Sequence, residues 1–143
     1  MDYEQFKIKC YDKWDLYLHA NQYPYIGRCY AWAKRDSALN AMDMDREEMD
    51  DLFGTVIPEW DSAIKQLFRH DTTNLACLCN EARHLHWHLI PRYNSPMRFY
   101  EIEFADPNPD GNYSPYPKQK IQEEILLRIK DDITSKLTKT KTL

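Results

Sequence analysis

The chain has 143 residues, 43% hydrophobic and 13% aromatic, a length and composition that suit one domain with a sizeable core. Its formal net charge of −4 offers no basic surface for non-specific nucleic-acid binding, because Lys and Arg must neutralise the phosphates. No apolar run approaches the roughly 18 residues of a membrane span, and the N-terminus is acidic, so we expect a cytoplasmic protein without nucleic-acid or membrane partners.

Two strands are predicted near the N-terminus. Apolar and polar side chains alternate over residues 14–19, and an extended apolar pattern resumes over 28–33. Pro24 and Gly27 break the chain between these segments. The two strands therefore form a hairpin.

A long helix is predicted next. From Asp45 to Phe68, apolar residues recur at intervals of three and four, and acidic residues fill the first turn. The apolar stripe is expected to pack in the core. Pro58 lies inside this segment, so we expect a kink or a break near Ile57.

The second half of the chain predicts more strands and a final helix. Segment 74–79 is a short predicted strand, followed by a hairpin into a strand over about 84–92. Residues 97–104 are a candidate for a further strand, and 105–117 form a loop rich in Pro, Asn, Asp and Gly. Apolar spacing then predicts a C-terminal helix over about 118–137.

The most informative segment is 84–91, which reads His-Leu-His-Trp-His-Leu-Ile-Pro. Side chains alternate along a strand, so the three imidazoles share one face and the apolar residues between them face the core. Three imidazoles on one face need matched donors and acceptors, since an unpaired buried polar group is costly. The spacing therefore indicates a ligand on this face, either a phosphate or a metal ion.

A metal site is the competing interpretation, because histidine is a frequent zinc ligand. At roughly 3.3 Å per residue, the Cα atoms of His84 and His88 lie about 13 Å apart, so both rings would have to lean strongly inward to share one ion. No second cluster supports the site, since 77–79 is only a Cys-x-Cys. Phosphate chemistry fits better, because one imidazole can act as nucleophile while its neighbours bind anionic oxygens.

This segment resembles the signature of the histidine triad (HIT) superfamily of nucleotide hydrolases and transferases. The order of elements from about Trp14 to Tyr93 is similar to that of such domains, and the ending, with Asn112 to Tyr116 before a helix, resembles a bacterial or archaeal branch. The resemblance implies one HIT-like α+β domain over residues 1–143, with an antiparallel sheet of about five strands, one long helix and a C-terminal helix. It also implies a homodimer formed by joined sheets, no cofactor and no metal.

The resemblance implies a catalytic role for each histidine of the triad. His86 matches the nucleophile that attacks the α-phosphorus of a nucleotide and forms a nucleotidyl-histidine intermediate, which water then resolves. His84 and His88 would orient His86, fix its tautomer and hold phosphate oxygens. The galactose-1-phosphate uridylyltransferase branch has glutamine at the third position, so His88 favours hydrolysis or nucleotide binding.

Four more residues are candidates for substrate binding by the same resemblance. Asn21 stands near the residue that holds the ribose hydroxyls, and Asn80 matches a substrate-contacting Asn or Gln; a turn-forming role is the alternative for both. Arg28 follows Gly27 where many members have a histidine near the phosphates, and it keeps a cation there. Arg83 is either a replacement for a leaving-group segment that this chain lacks or an ordinary surface residue.

We therefore predict a hydrolase that cleaves at the α-phosphate of an adenosine- or guanosine-linked substrate, such as a dinucleoside polyphosphate or a nucleoside phosphoramidate. Two alternatives stay open. The first is a nucleotide-binding regulatory module with little turnover, favoured by the missing leaving-group segment. The second is a zinc-binding histidine cluster.

Overall fold

A five-stranded antiparallel sheet is the centre of the computed structural model, which describes residues 2–139. The order across the sheet is β1 (Lys7–Cys10), β2 (Trp14–Leu18), β3 (Cys29–Ala33), β5 (His86–Arg92) and β4 (Thr72–Ala76). The predicted α+β class, with a five-stranded sheet, a long helix and a C-terminal helix, is confirmed. The predicted domain limits, residues 1 and 143, lie outside the described residues.

Strand alternation divides the sheet into two different faces. On one face, side chains such as Leu16, Ala31 and Leu89 join the buried core, together with apolar residues of the helices. On the other face, register places Trp32 opposite His86 and Tyr30 opposite His88. The core therefore occupies one side of the sheet, and the triad lies on the other.

The long helix is interrupted close to the predicted position. α1 (Arg46–Asp51) begins at Asp45, whose side chain accepts from the Glu48 backbone N–H in a capping box. A π-helical turn, Leu52–Val56, then joins it to α2 (Ile57–Phe68). Pro58, near the start of α2, has no N–H to donate to the preceding turn, which accounts for a wider turn at this point.

Two strand predictions need correction. The fifth strand of the sheet is β1, a four-residue segment in which Lys7 and Lys9 alternate with Ile8 and Cys10, and which the sequence analysis did not assign to a strand. The predicted strand over 97–104 instead forms a separate hairpin of β6 (Met97–Phe99) and β7 (Ile102–Phe104). This segment reverses direction because Tyr100 and Glu101 both adopt left-handed backbone angles.

Element boundaries also differ from those predicted. The strand expected over 74–79 is β4, and the triad strand starts at His86 because His84 lies in a bend. The C-terminal helix, α3 (Glu123–Lys139), starts five residues later than expected. Two glutamates in its first turn stabilise the positive end of the helix dipole, whereas lysines at 118 and 120 would oppose it. Within residues 2–139, no helix has both the length and the apolar character needed to cross a membrane.

Gly27 ends the connection between β2 and β3 and is the one glycine with a positive φ, 96°. A Cβ at this position would lie 2.9 Å from Cδ1 of Ile64. Its N–H donates to Gln22 Oε1 over 2.7 Å, and its carbonyl accepts from Trp60 Nε1. The turn that precedes Arg28 therefore depends on glycine for both backbone angle and space.

We expect Gly27→Ala to lower the free energy of unfolding by at least about 1–2 kcal/mol, because a Cβ is strained at this φ and meets α2. Gly54→Ala is the matched control, since a Cβ there meets nothing within 4 Å and the residue is helical. The control should be neutral or stabilising by up to about 1 kcal/mol. Urea unfolding measures both; equal effects of the two substitutions would contradict this role of Gly27.

Candidate active site

The triad histidines lie against a row of aromatic side chains from β2 and β3. The ring of Trp32 stacks on His84 with 4.2 Å between centroids and lies 5.4 Å from His86. The rings of His86 and His88 are 5.1 Å apart, edge to face. Cross-strand pairing places His86 and His88 on this surface, and stacking on Trp32 places His84 there, so the three imidazoles share one face as the two-residue spacing predicted.

Backbone carbonyls fix the tautomers of two of these histidines. His86 Nδ1 lies 2.6 Å from the carbonyl oxygen of His84, and His84 Nε2 lies 2.6 Å from the carbonyl oxygen of Ala33. A carbonyl can only accept, so both nitrogens carry protons. Neutral His86 therefore has its lone pair on Nε2, the atom that a nucleophile or general base uses.

The third histidine is held neutral. Burial, together with the positive charge of Arg28 and the neighbouring His86, lowers the pKa of His88 to about 4. Its buried Nδ1 has no hydrogen-bond partner among residues 2–139. A buried ring nitrogen without a hydrogen bond costs free energy, so this position favours a ligand that forms the missing bond.

His86 and His88 open into a cleft of 540 Å³. Its walls are strongly aromatic, with contributions from Tyr3, Tyr17, Tyr30 and Trp32. The rings of Tyr17 and Tyr30 are nearly parallel, 5.2 Å apart. A cleft of this size with flat apolar walls and a few imidazoles suits a ligand that has both a ring system and a phosphate.

The predicted binding residues occupy different places around this cleft. Asn21 lines it at an exposed position. Asn80 and Arg83 are exposed on the loop before β5, and from this loop it is Glu81 and Ala82 that line the cleft. The structure thus brings Asn21 together with the triad and leaves Asn80 and Arg83 outside. All four binding roles stay predictions.

Arg28 is buried without a carboxylate. Arg28 is 3% exposed, and its guanidinium lies over the rings of Tyr113 and Tyr116, at 5.7 and 5.2 Å from their centroids. Nη1 donates to the Tyr116 hydroxyl over 2.7 Å, whereas Nε has no partner among the described residues. A buried cation without an anion is normally unfavourable, so this position suits an anionic ligand.

The tyrosines over Arg28 belong to a loop that is held by a second buried arginine. Arg92 forms an ion pair with Asp106, with 2.7 Å between Nη2 and Oδ2, and also donates to the backbone carbonyls of Asn108 and Gly111. The Tyr25 hydroxyl donates to the carbonyl of Tyr113. The loop predicted over 105–117 is therefore an ordered cover over Arg28.

His19 is a cleft residue that the sequence analysis did not identify as functional. It lines the cleft, with its ring centroid 5.8 Å from that of His88. Burial lowers its pKa to about 2, and the positive charge of Arg28 adds to this effect. The alternation over 14–19 already placed His19 on the face of Tyr17, but pairing with the triad strand depends on long-range register, which a single sequence does not reveal.

The described residues provide no ligand set for the zinc-binding alternative. Among residues 2–139, no group of three or more His, Cys, Asp or Glu side chains is placed to hold a metal ion. The thiols of Cys77 and Cys79 are 3.7 Å apart, and Cys79 lies 3.9 Å from Nδ1 of His86. That nitrogen already donates to the His84 carbonyl, so it has no lone pair for a metal.

Comparison with known proteins gives a consistent result. A family model described as the HIT domain matches residues 33–95. A histidine triad protein from Bradyrhizobium japonicum aligns with a TM-score of 0.71 at 19% identity, covering 92% of this chain and 89% of that one. A histidine triad protein from Marinobacter aquaeolei aligns with a TM-score of 0.70 at 19% identity, covering 97% and 96%.

A third structure, described as a hypothetical histidine triad nucleotide-binding protein from Sulfolobus tokodaii, aligns with a TM-score of 0.70 at 18% identity, covering 95% and 85%. At sequence identities this low, the structural alignments establish a shared fold alone. No curated protein sequence gives a significant match.

The two neutral histidines predict how stability depends on pH. Their pKa values are about 2 (His19) and about 4 (His88) in the fold, below the ordinary 6.5 that the unfolded chain regains. Their contribution is therefore complete above pH 6.5 and is lost as pH falls toward those values, because unfolding then takes up protons. Between pH 6.5 and 5, we expect His19→Gln and His88→Gln each to reduce this proton uptake by up to about one proton.

Urea unfolding at several pH values measures the uptake as the slope of the unfolding free energy against pH. Wild-type slopes in both variants would contradict the assignment of neutral histidines.

Proposed function

We propose that this chain, whose residues 33–95 match the HIT domain, is a histidine triad nucleotide hydrolase that works through a covalent nucleotidyl-His86 intermediate. The domain match supports a nucleotide-binding or hydrolytic role in general. The observation that supports the specific mechanism is the 2.6 Å contact between His86 Nδ1 and the His84 carbonyl. It leaves the Nε2 lone pair free in a residue that lines the cleft.

The proposed reaction has two steps. His86 Nε2 attacks the α-phosphorus of the substrate, a P–N bond forms, and the bond from phosphorus to the leaving group breaks. The imidazole becomes positively charged as the P–N bond forms, and its Nδ1–H then makes a charge-assisted hydrogen bond to the His84 carbonyl. Water then attacks the phosphorus, the P–N bond breaks and the attacking water gives up a proton to solvent, which releases the mononucleotide and restores neutral His86.

The aromatic wall supports a purine nucleoside as the ligand portion next to the phosphate. Tyr17, Tyr30 and Trp32 line the cleft, and stacking of one base on an aromatic side chain contributes about 1–3 kcal/mol. Asn21, at the edge of the same cleft, is our candidate for contact with the ribose. Stacking does not discriminate adenine from guanine, so the proposal includes both.

The leaving group is the least constrained part of the proposal. A dinucleoside polyphosphate and a nucleoside phosphoramidate both place a suitable bond at the α-phosphorus. Asn80 and Arg83 do not line the cleft. Glu81 does line it, and its negative charge would repel an anionic leaving group. This observation favours the second candidate function, a nucleotide-binding module with little turnover.

Two further features stay proposals. β4 is an edge strand whose outer side is unpaired among the described residues, and Leu75 beside the β5 pairing is partly exposed. Pairing of two such edges would join two sheets into the homodimer that the family resemblance implies. A cytoplasmic location is likewise proposed from the sequence alone.

We expect His86→Ala to lower kcat by at least about 10³-fold, since a covalent route cannot proceed without its nucleophile. Binding of a mononucleotide should remain largely intact. His84→Ala and His88→Ala should lose less activity, because they orient or hold rather than attack. The measurement is mononucleotide release from a panel of adenylated and guanylated compounds; near-normal turnover by His86→Ala would overturn the mechanism.

A further inference from the structure

His19 is an imidazole whose free nitrogen is defined by its surroundings. Its Nδ1 lies 3.0 Å from the backbone nitrogen of Asn21, which is a donor, so Nδ1 must accept. The neutral ring therefore carries its proton on Nε2. This nitrogen makes no hydrogen bond within residues 2–139, and the side chain lines the cleft.

The backbone that carries His19 is fixed by a buried glutamine. Gln22 is fully buried, and its Nε2 donates to the carbonyls of His19 and Arg28 over 2.8 and 2.7 Å. Its Oε1 accepts from Gly27. The His19 N–H also donates to the Arg28 carbonyl. His19 and Arg28 are thus held side by side before any ligand binds, so binding does not have to order them.

The imidazoles of His19, His86 and His88 lie next to one another along the cleft. The ring of His19 is 5.8 Å from His88, which is 5.1 Å from His86. Arg28 is buried and leaves Nε without a partner, and His88 leaves Nδ1 without one. Arg28 is near enough to lower the pKa values of both His19 and His88. Within the described residues, this positive charge has no ion-pair partner.

A phosphoryl group matches this spacing. Each N–H···O contact spans about 2.9 Å, so two imidazoles with centroids 5–6 Å apart can bind different oxygens of one tetrahedral group. The ribose and the base carry no charge and gain little from an unpaired arginine. The charge and the spacing therefore favour the phosphate over the nucleoside as the partner of His19.

We propose that His19 is a substrate-binding residue, a fourth imidazole of this site, whose Nε2–H donates to a non-bridging oxygen of the phosphoryl group that His86 attacks. The proposal rests on the proposed function, since it needs a nucleotide phosphate in the cleft. It adds to the triad a donor from the residue that follows β2, and this donor keeps its proton throughout the reaction. His19 therefore holds the phosphate and neither attacks nor transfers a proton.

The test compares adenosine with AMP, neither of which is a substrate for the proposed hydrolysis, using calorimetry on the full chain. His19→Leu removes the donor, and His19→Gln keeps an N–H of similar reach. We expect His19→Leu to weaken AMP binding about tenfold or more and adenosine binding less than about twofold. His19→Gln should recover most of the AMP affinity. Thermal unfolding of each variant confirms that it is folded.

A second measurement needs no substitution at His19. In ¹⁵N-labelled wild-type protein, AMP should shift the Nε2 resonance of His19 and adenosine should not. Equal losses of adenosine and AMP affinity in His19→Leu, or an unmoved Nε2 resonance on AMP binding, would overturn the proposal. If wild-type protein turns over nucleotides and only these effects are missing, the His19 inference alone fails; if it binds neither AMP nor adenosine, the proposed function fails and this inference with it.

Discussion

The hydrogen bond from His86 Nδ1 to the carbonyl oxygen of His84 is the interaction on which the site depends. It exists because the chain bends at His84, so a carbonyl two residues earlier turns back toward the imidazole. The bend is held by Leu85, whose N–H donates to Ala38 and whose carbonyl accepts from Ala33. Backbone hydrogen bonds at the end of β3 thus hold the bend that sets the tautomer of His86.

A second constraint acts in the turn between β2 and β3, which fixes Arg28 close to the neutral imidazoles of His19 and His88. Gly27 allows the chain to turn against α2, and Gln22 fills the turn with hydrogen bonds. Arg28 then stays buried under Tyr113 and Tyr116, and its charge adds to the burial that lowers the pKa of His88. Neutral donors and one fixed positive charge attract a phosphate without requiring proton movement on binding.

The features that follow from local periodicity were predictable from the sequence. Two-residue spacing placed His84, His86 and His88 on one face, and three-to-four spacing located the long helix with its break near Pro58. The strand β1, the position of His19 beside the triad and the Arg92–Asp106 pair were not predicted. β1 has only four residues, the shortest run in which alternation can be recognised, and the other two features depend on contacts between separate elements of the fold. Register and loop order come from tertiary contacts, which leave no periodic pattern in one sequence.

The most direct test of the central claim is detection of the covalent intermediate. A reactive adenylated substrate is mixed with the protein and quenched in alkali, where P–N bonds to histidine survive better than in acid, and the protein mass is measured. The mechanism predicts a fraction heavier by one adenylyl group, mapped to His86, and a burst of leaving-group release. Turnover with neither adduct nor burst, abolished by a chelator, would contradict the mechanism, because the attacking group would then be a metal-bound water.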